Sequence, residues 1–138
     1  MPVVRNPQFY FKEGFCWNNV LLPTKEESMY IKARIKGISV NDVASMSMYS
    51  LYKNTPNKYI VSLLCSKLFY DYLKAFINNT VNLQINDFRL FPILIPNEDQ
   101  LNHINDSIDS ILSLKQRNAD DSPIDVHLSK YIRELYSI

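Results

Sequence analysis

Glycine and cysteine are both scarce in this chain, each occurring twice in 138 residues. Gly14 and Gly37 stand alone, so the glycine-rich turn that would hold S-adenosylmethionine is missing. Cys16 and Cys65 lie far apart in sequence and fit no paired-cysteine metal spacing, which leaves two free thiols, a reducing compartment and hence the cytoplasm as the expectation. No apolar run approaches the roughly 20 residues of a membrane helix, and no cationic, apolar leader opens the sequence, so neither membrane spanning nor secretion is expected. What the chain does have is 46% hydrophobic residues, among them nine tyrosines and seven phenylalanines, enough buryable surface for one modest core and a single domain.

The formal net charge of +1 is unpromising for a polyanion partner, because Lys and Arg on phosphates dominate that kind of affinity. The average conceals an asymmetry. Residues 1–75 hold ten Lys and Arg against five Asp and Glu, whereas residues 76–138 hold five against nine. Such a split suits one face that meets a polyanion and another that meets water or a protein.

Local patterning predicts an α+β fold, loosely of the α/β class: a small, mostly antiparallel sheet, one packed helix and a C-terminal antiparallel helix pair. Residues 8–22 are rich in aromatic and β-favouring types and are interrupted by Gly14, which reads as two short strands with a turn. Tyr30 or Ile31, Ala33 and Ile35 then alternate with Lys32, Arg34 and Lys36, as on a half-buried strand with one cationic side. Residues 43–52 alternate with apolar groups on both faces, as an inner strand would.

Beyond the polar turn KNTPNK at 53–58 the period changes to helical, and Ile60, Leu63, Leu64, Leu68, Tyr72 and Phe76 predict one helix over 58–77. Pro92 and Pro96 make 81–96 an extended edge strand or ordered loop. Asn97 with Gln100 forms a helix-start signal, and Leu101, Ile104, Ile108 and Ile111 make a narrow heptad-like seam of the kind that packs on a neighbouring helix. Ser122, Pro123 and Asp125 start a last helix striped by Ile124, Leu128, Tyr131 and Leu135, with 118–122 as the turn.

Catalytic spacings are not found. His103 and His127 are single histidines on predicted helices, and the acidic pairs Asp106 with Asp109 and Asp120 with Asp121 lack the lysine on a sheet that nuclease chemistry wants. Cys65, between Leu64 and Ser66 on an apolar helix, reads as a buried small hydrophobe. What stands out is a group of basic, amide and aromatic residues: Lys32, Arg34 and Lys36 on one strand, with Lys12, Trp17, Asn18, Asn19, Lys53, Asn54 and Lys58 in nearby loops. These types suit phosphate clamping combined with hydrogen bonding to base edges. The plain alternative is a solvated polar sheet face on a structural or protein-interaction module.

Four blocks in order, NPQFYFKEGFCWNN, YIKARIKGISVNDVASMSMY, YIVSLLCSKLFYDYLKAF and VNLQINDFRLFPILIPNEDQ, cover residues 10 to about 100. Together they are similar to the target-recognition region of type IIG and related adenine-specific DNA methyltransferases of restriction-modification systems. The resemblance runs from Tyr10 to Trp17, then through Arg34, then through Leu63, Leu64, Cys65, Ser66 and Lys67, where Cys65 replaces the usual asparagine, and finally from Asn82 to Pro96. The last block and the helix after it also resemble type I restriction specificity subunits, and the terminal RELYSI resembles an ending seen in these enzymes.

Asn6, Pro7, Gln8 and Phe9 are similar to the Asn-Pro-Pro-aromatic loop that grips a flipped adenine but lack its second proline. The resemblance implies sequence-specific reading of double-stranded DNA, with no enzymatic activity in this fragment and no cofactor of its own. S-adenosylmethionine would belong to the parent methyltransferase, which sometimes also carries restriction endonuclease activity. It further implies that residues 1–97 form the DNA-reading part and 98–138 a helical spacer. The seam Leu101, Ile104, Ile108 and Ile111 would then contact the catalytic domain or a sister subunit.

Overall fold

The computed structural model describes residues 7–18, 31–40, 47–80 and 82–137. Strand β1 (Lys12–Trp17) lies between β2 (Ala33–Ser39) and β3 (Ser47–Met48) in a sheet that is antiparallel throughout. Because side chains alternate along a strand, the register sorts residues by face. Phe15 pairs with Ile35 and Met48, and Trp17 with Ala33, which gives an apolar inner face. Cys16 pairs with Arg34 and Ser47, and Gly14 with Lys36, which gives a polar outer face.

Gly14 does not make the expected turn; it sits inside β1, next to a bulge at which the partner moves from Lys36 to Ser39. A Cβ there would lie 2.6 Å from the Met48 carbonyl oxygen and 2.7 Å from the Tyr49 ring. The glycine therefore serves close approach of a neighbouring strand rather than chain reversal. The strand expected over 43–52 is also corrected: β3 pairs on one side only, at the edge of the sheet as described, and residues 43–46 lie outside the described residues.

Helix α1 (Asn57–Cys65) packs on the inner face and is buried nearly all round, at Tyr59, Ile60, Val61, Ser62, Leu63 and Leu64. Such a helix needs cover on both sides. The sheet supplies one side, and α4 (Glu98–Gln116) and α5 (Ser122–Leu135) supply the other. The single helix expected over 58–77 is broken at Ser66, whose backbone is extended (φ −77°, ψ 151°). Its hydroxyl donates to Leu63 O at 2.6 Å and accepts from Phe69 N at 3.3 Å, capping α2 (Lys67–Tyr72), which runs on into a π-helical turn at Leu73–Ile77. A buried serine satisfied in both directions thus stabilises the break.

A short helix, α3 (Ile85–Arg89), replaces part of the extended segment expected over 81–96. The Asp87 carboxylate accepts hydrogen bonds from Gln84 N and Asn78 Nδ2, both at 2.8 Å, which caps the start of the helix, and the helix ends at Arg89, ahead of Pro92. Leu90 keeps helical backbone, and residues 92–96, which lie in neither helix nor strand as an ordered loop would, are held by two tyrosines. Tyr59 donates to Leu94 O at 2.7 Å; Tyr136 donates to Pro92 O and accepts from Leu94 N, both at 3.0 Å. Burial pushes the pKa of both phenols up, and for Tyr59 the neighbouring Tyr136 adds to the effect.

The C-terminal helix pair is present where the stripes and caps put it. Asn97 and Gln100 form the reciprocal cap, each side chain bonding the other's backbone N–H at 2.9 Å. Ile104, Ile108 and Ile111 are buried together with Leu128 and Ile132 of α5 in one core that extends to Phe15 and Trp17. The helices expected as a spacer therefore share one core with the sheet and α1. No helix among the described residues is long and apolar enough to cross a membrane.

Candidate nucleic-acid interface

The outer face of the sheet gathers the clearest cluster of cationic and aromatic groups. Phe9 ends a helical turn at Pro7–Phe9, and its ring stacks on Tyr49 with centroids 5.0 Å apart and planes 17° from parallel. Tyr49 reaches this position because Gly14 beneath it has no side chain. Lys12 lies over the Phe9 ring and Lys36 over the Tyr49 ring, with ammonium-to-centroid distances of 5.7 and 5.6 Å. Both distances fall within cation–π range.

Lys36 also donates to Ser39 O at 2.8 Å, which holds its charge near the bulged end of β2. Arg34 continues the row. Its Nε donates to Cys16 Sγ at 3.2 Å, a contact that raises the guanidinium pKa above its ordinary value. The fork is thus anchored by one nitrogen while the exposed side chain remains charged. Three cations, two stacked rings and a polar strand surface therefore share one face.

The other expected site residues are placed differently. Trp17 is a core residue and not an interface residue: it is 6% exposed, its indole N–H donates to Leu83 O at 3.3 Å, and its ring meets Phe88 edge-on. The even-residue step from Phe15 puts it on the inner face, where an aromatic ring contributes to the core and its polar tip needs an internal acceptor. Asn18 is exposed at the end of β1 and its backbone N–H bonds Lys32 O, which brings Asn18 and Lys32 to one end of the sheet. Asn19 lies outside the described residues.

Lys53 and Asn54 are exposed on the turn before α1. Lys58 pairs with Asp109 of α4, so its charge is countered within the chain. Lys53 and Lys58 line a shallow depression of about 570 Å³ whose wall includes Glu13, Asn105 and Asp109. Its mixed charge makes it a poorer phosphate cradle than the sheet face.

The seam residues are also corrected. Ile104 is completely buried, Ile108 and Ile111 nearly so, and Leu101 packs against the same cluster. The stripe faces α1 and α5 of its own chain and is not free for a catalytic domain or sister subunit. His103 and His127 come from adjoining helices with ring centroids 6.0 Å apart, and His103 packs on Tyr131 at 4.4 Å. Among the described residues, no group of three or more His, Cys, Asp or Glu side chains is arranged to hold a metal ion.

Phe9 and Tyr49 were not among the expected site residues. Tyr49 shares strand parity with Ser47 on a face where an aromatic has no core to fill, which is the sequence signal that could have flagged it. Phe9 carries no such signal, because its position depends on a long-range stack.

Comparison of the chain with protein-family models, curated proteins and solved structures finds no match. The class that the coordinates define is a small α+β domain with a cationic, aromatic outer sheet face.

Proposed function

We propose that this domain reads double-stranded DNA through the outer face of its sheet and positions it for an adenine-methylating catalytic domain carried elsewhere. The observation that supports this most is the placing of Lys12 and Lys36 over the stacked Phe9 and Tyr49, with Arg34 on the same face of β2 as Lys36. Lys12 and Lys36 neutralise phosphates, and Arg34 supplies the bidentate donors suited to a guanine edge in the major groove. Lys32, Asn18, Lys53 and Asn54 serve as peripheral contacts. The domain performs no methyl transfer itself, and S-adenosylmethionine binds the catalytic partner.

Filter binding of random-sequence duplex DNA at low salt tests the reading, because a phosphate-dominated binder is retained under those conditions regardless of sequence. Retention that Arg34→Ala and Lys36→Ala both reduce is expected. Wild-type protein that retains no duplex would contradict the proposal.

A second reading, a protein-interaction module, is favoured by a different observation. Phe76, Leu90, Ile93 and Ile95 are exposed around the segment that follows α3. Apolar exposure of this kind suits contact with the catalytic domain or sister subunit better than the buried seam does. Both readings hold together if the sheet faces DNA and this region faces the partner.

A further inference from the structure

The start of β1 and the end of β2 meet in an apolar tip. Pairing between these strands ends at Lys12 with Ser39, and the next residue on each strand, Phe11 and Val40, is exposed. Ile38, beside the bulge, is 75% exposed and Phe11 67%, with Tyr10 adjoining them. Large apolar groups gathered at one end of a sheet need an occupant, since water solvates them poorly.

Phe11 has a second unusual property. Its φ is +57°, in the left-handed region that bulky side chains rarely adopt. Strain of this kind costs on the order of 1–3 kcal/mol and persists where the surroundings hold it, often at sites that engage a ligand. The core gains nothing from it here, because the ring it presents is exposed.

The neighbouring charges identify the occupant. Lys12 directly follows Phe11, and Lys36 donates at 2.8 Å to the carbonyl of Ser39, the residue paired with Lys12, so two ammonium groups stand beside the tip on the outer face. A protein partner with an apolar pocket would not need both. A base step in a duplex offers a flat apolar slot with phosphates next to it, which matches an exposed apolar tip with two cations next to it.

Resting on the DNA-reading proposal, we infer that Phe11, supported by Ile38 and Val40, is a wedge that enters a base step and kinks the duplex while Lys12 and Lys36 hold the adjoining phosphates. The sheet face and the tip then divide the work. The lysines fix register, Arg34 reads a base edge, and the wedge makes binding sensitive to how easily a step unstacks, which favours flexible pyrimidine–purine steps.

The test uses duplexes that the wild-type chain recovers from a random-sequence pool, labelled at both ends for energy transfer. Wild-type protein is expected to shorten the end-to-end distance. Phe11→Ala, checked for native far-UV circular dichroism, is expected to leave the distance unchanged, to weaken binding about tenfold and to keep the salt dependence. Phe11→Trp is expected to restore both shortening and affinity. Wild-type binding without shortening, or shortening by Phe11→Ala equal to wild type, overturns the wedge and leaves DNA reading standing. Recovery of no duplex from the pool overturns both.

Discussion

Replacing Gly14 with alanine links the fold to the candidate site in a single methyl group. The added carbon would stand 2.6 Å from the Met48 carbonyl oxygen and 2.7 Å from two Tyr49 ring carbons, well inside van der Waals contact. The ring can rotate away, but the carbonyl belongs to the backbone of β3, which pairs with β1 through Phe15 and Met48. Relief therefore requires either a shift of β3 or loss of the Phe9–Tyr49 stack. Overpacking of this kind costs about 1–3 kcal/mol, and a lost aromatic pair about 0.5–1.5 kcal/mol more. Gly14→Ala is accordingly expected to lower stability by roughly 2–4 kcal/mol in urea unfolding, and to weaken duplex binding at temperatures where it remains folded. Unfolding midpoints within error of wild type, with binding unchanged, would refute the close packing of Tyr49 on Gly14.

Ile104→Ala should destabilise the chain by about 2–5 kcal/mol without changing its oligomeric state, because Ile104 is fully buried in its own core; dissociation of an oligomer by this change, with monomer stability intact, would contradict the placement. Tyr59→Phe bears on alkaline stability. The folded phenol ionises at higher pH than the unfolded one, so wild-type stability falls as pH rises above about 10, by at most about 1.4 kcal/mol per pH unit for this group. The variant should show a shallower alkaline decline in denaturant titrations at successive pH values, and identical slopes would count against burial of the phenol. Cys65 is partly buried and its thiol pKa is pushed up chiefly by burial, so it should react with a thiol reagent more slowly in the native state than in urea; equal rates would contradict its packing against Ala33.

Where a pattern is local and repeated, the chain announces its structure. The stripe Ile104, Ile108, Ile111, the Asn97–Gln100 cap and the Pro123 start place α4 and α5, because each depends on neighbours within one or two turns. The alternation at Ile31–Lys36 likewise separates an inner from an outer face. The misreadings share a cause: the decisive partner is distant in sequence. Ser66 breaks a helix that the apolar period would carry through, and its bonds to Leu63 and Phe69 show how.

Gly14 reads as a turn until β3 is laid beside it, although an isolated glycine in a strand pattern is equally a mark of close approach. Trp17 looks like an interface residue by its neighbours Asn18 and Asn19, yet parity with Phe15 places it inside. At the candidate site, Arg34 and Lys36 are legible from alternation and charge, whereas Lys12, expected in a loop, is the first residue of β1. Phe9 and Tyr49, which bring the two lysines together, depend on a stack between residues 40 positions apart.

The most direct test of the DNA-reading proposal is duplex affinity measured over a salt series for wild type, Lys12→Ala, Lys36→Ala and Arg34→Ala. If the outer sheet face meets DNA as proposed, each lysine variant binds all sequences more weakly and flattens the slope of log affinity against log salt by about 0.9, while Arg34→Ala relaxes preference at one position of the recovered site. Slopes and sequence preference that none of the three variants alters, in protein that still binds duplex, would place the interface elsewhere and contradict the assignment of this face to DNA.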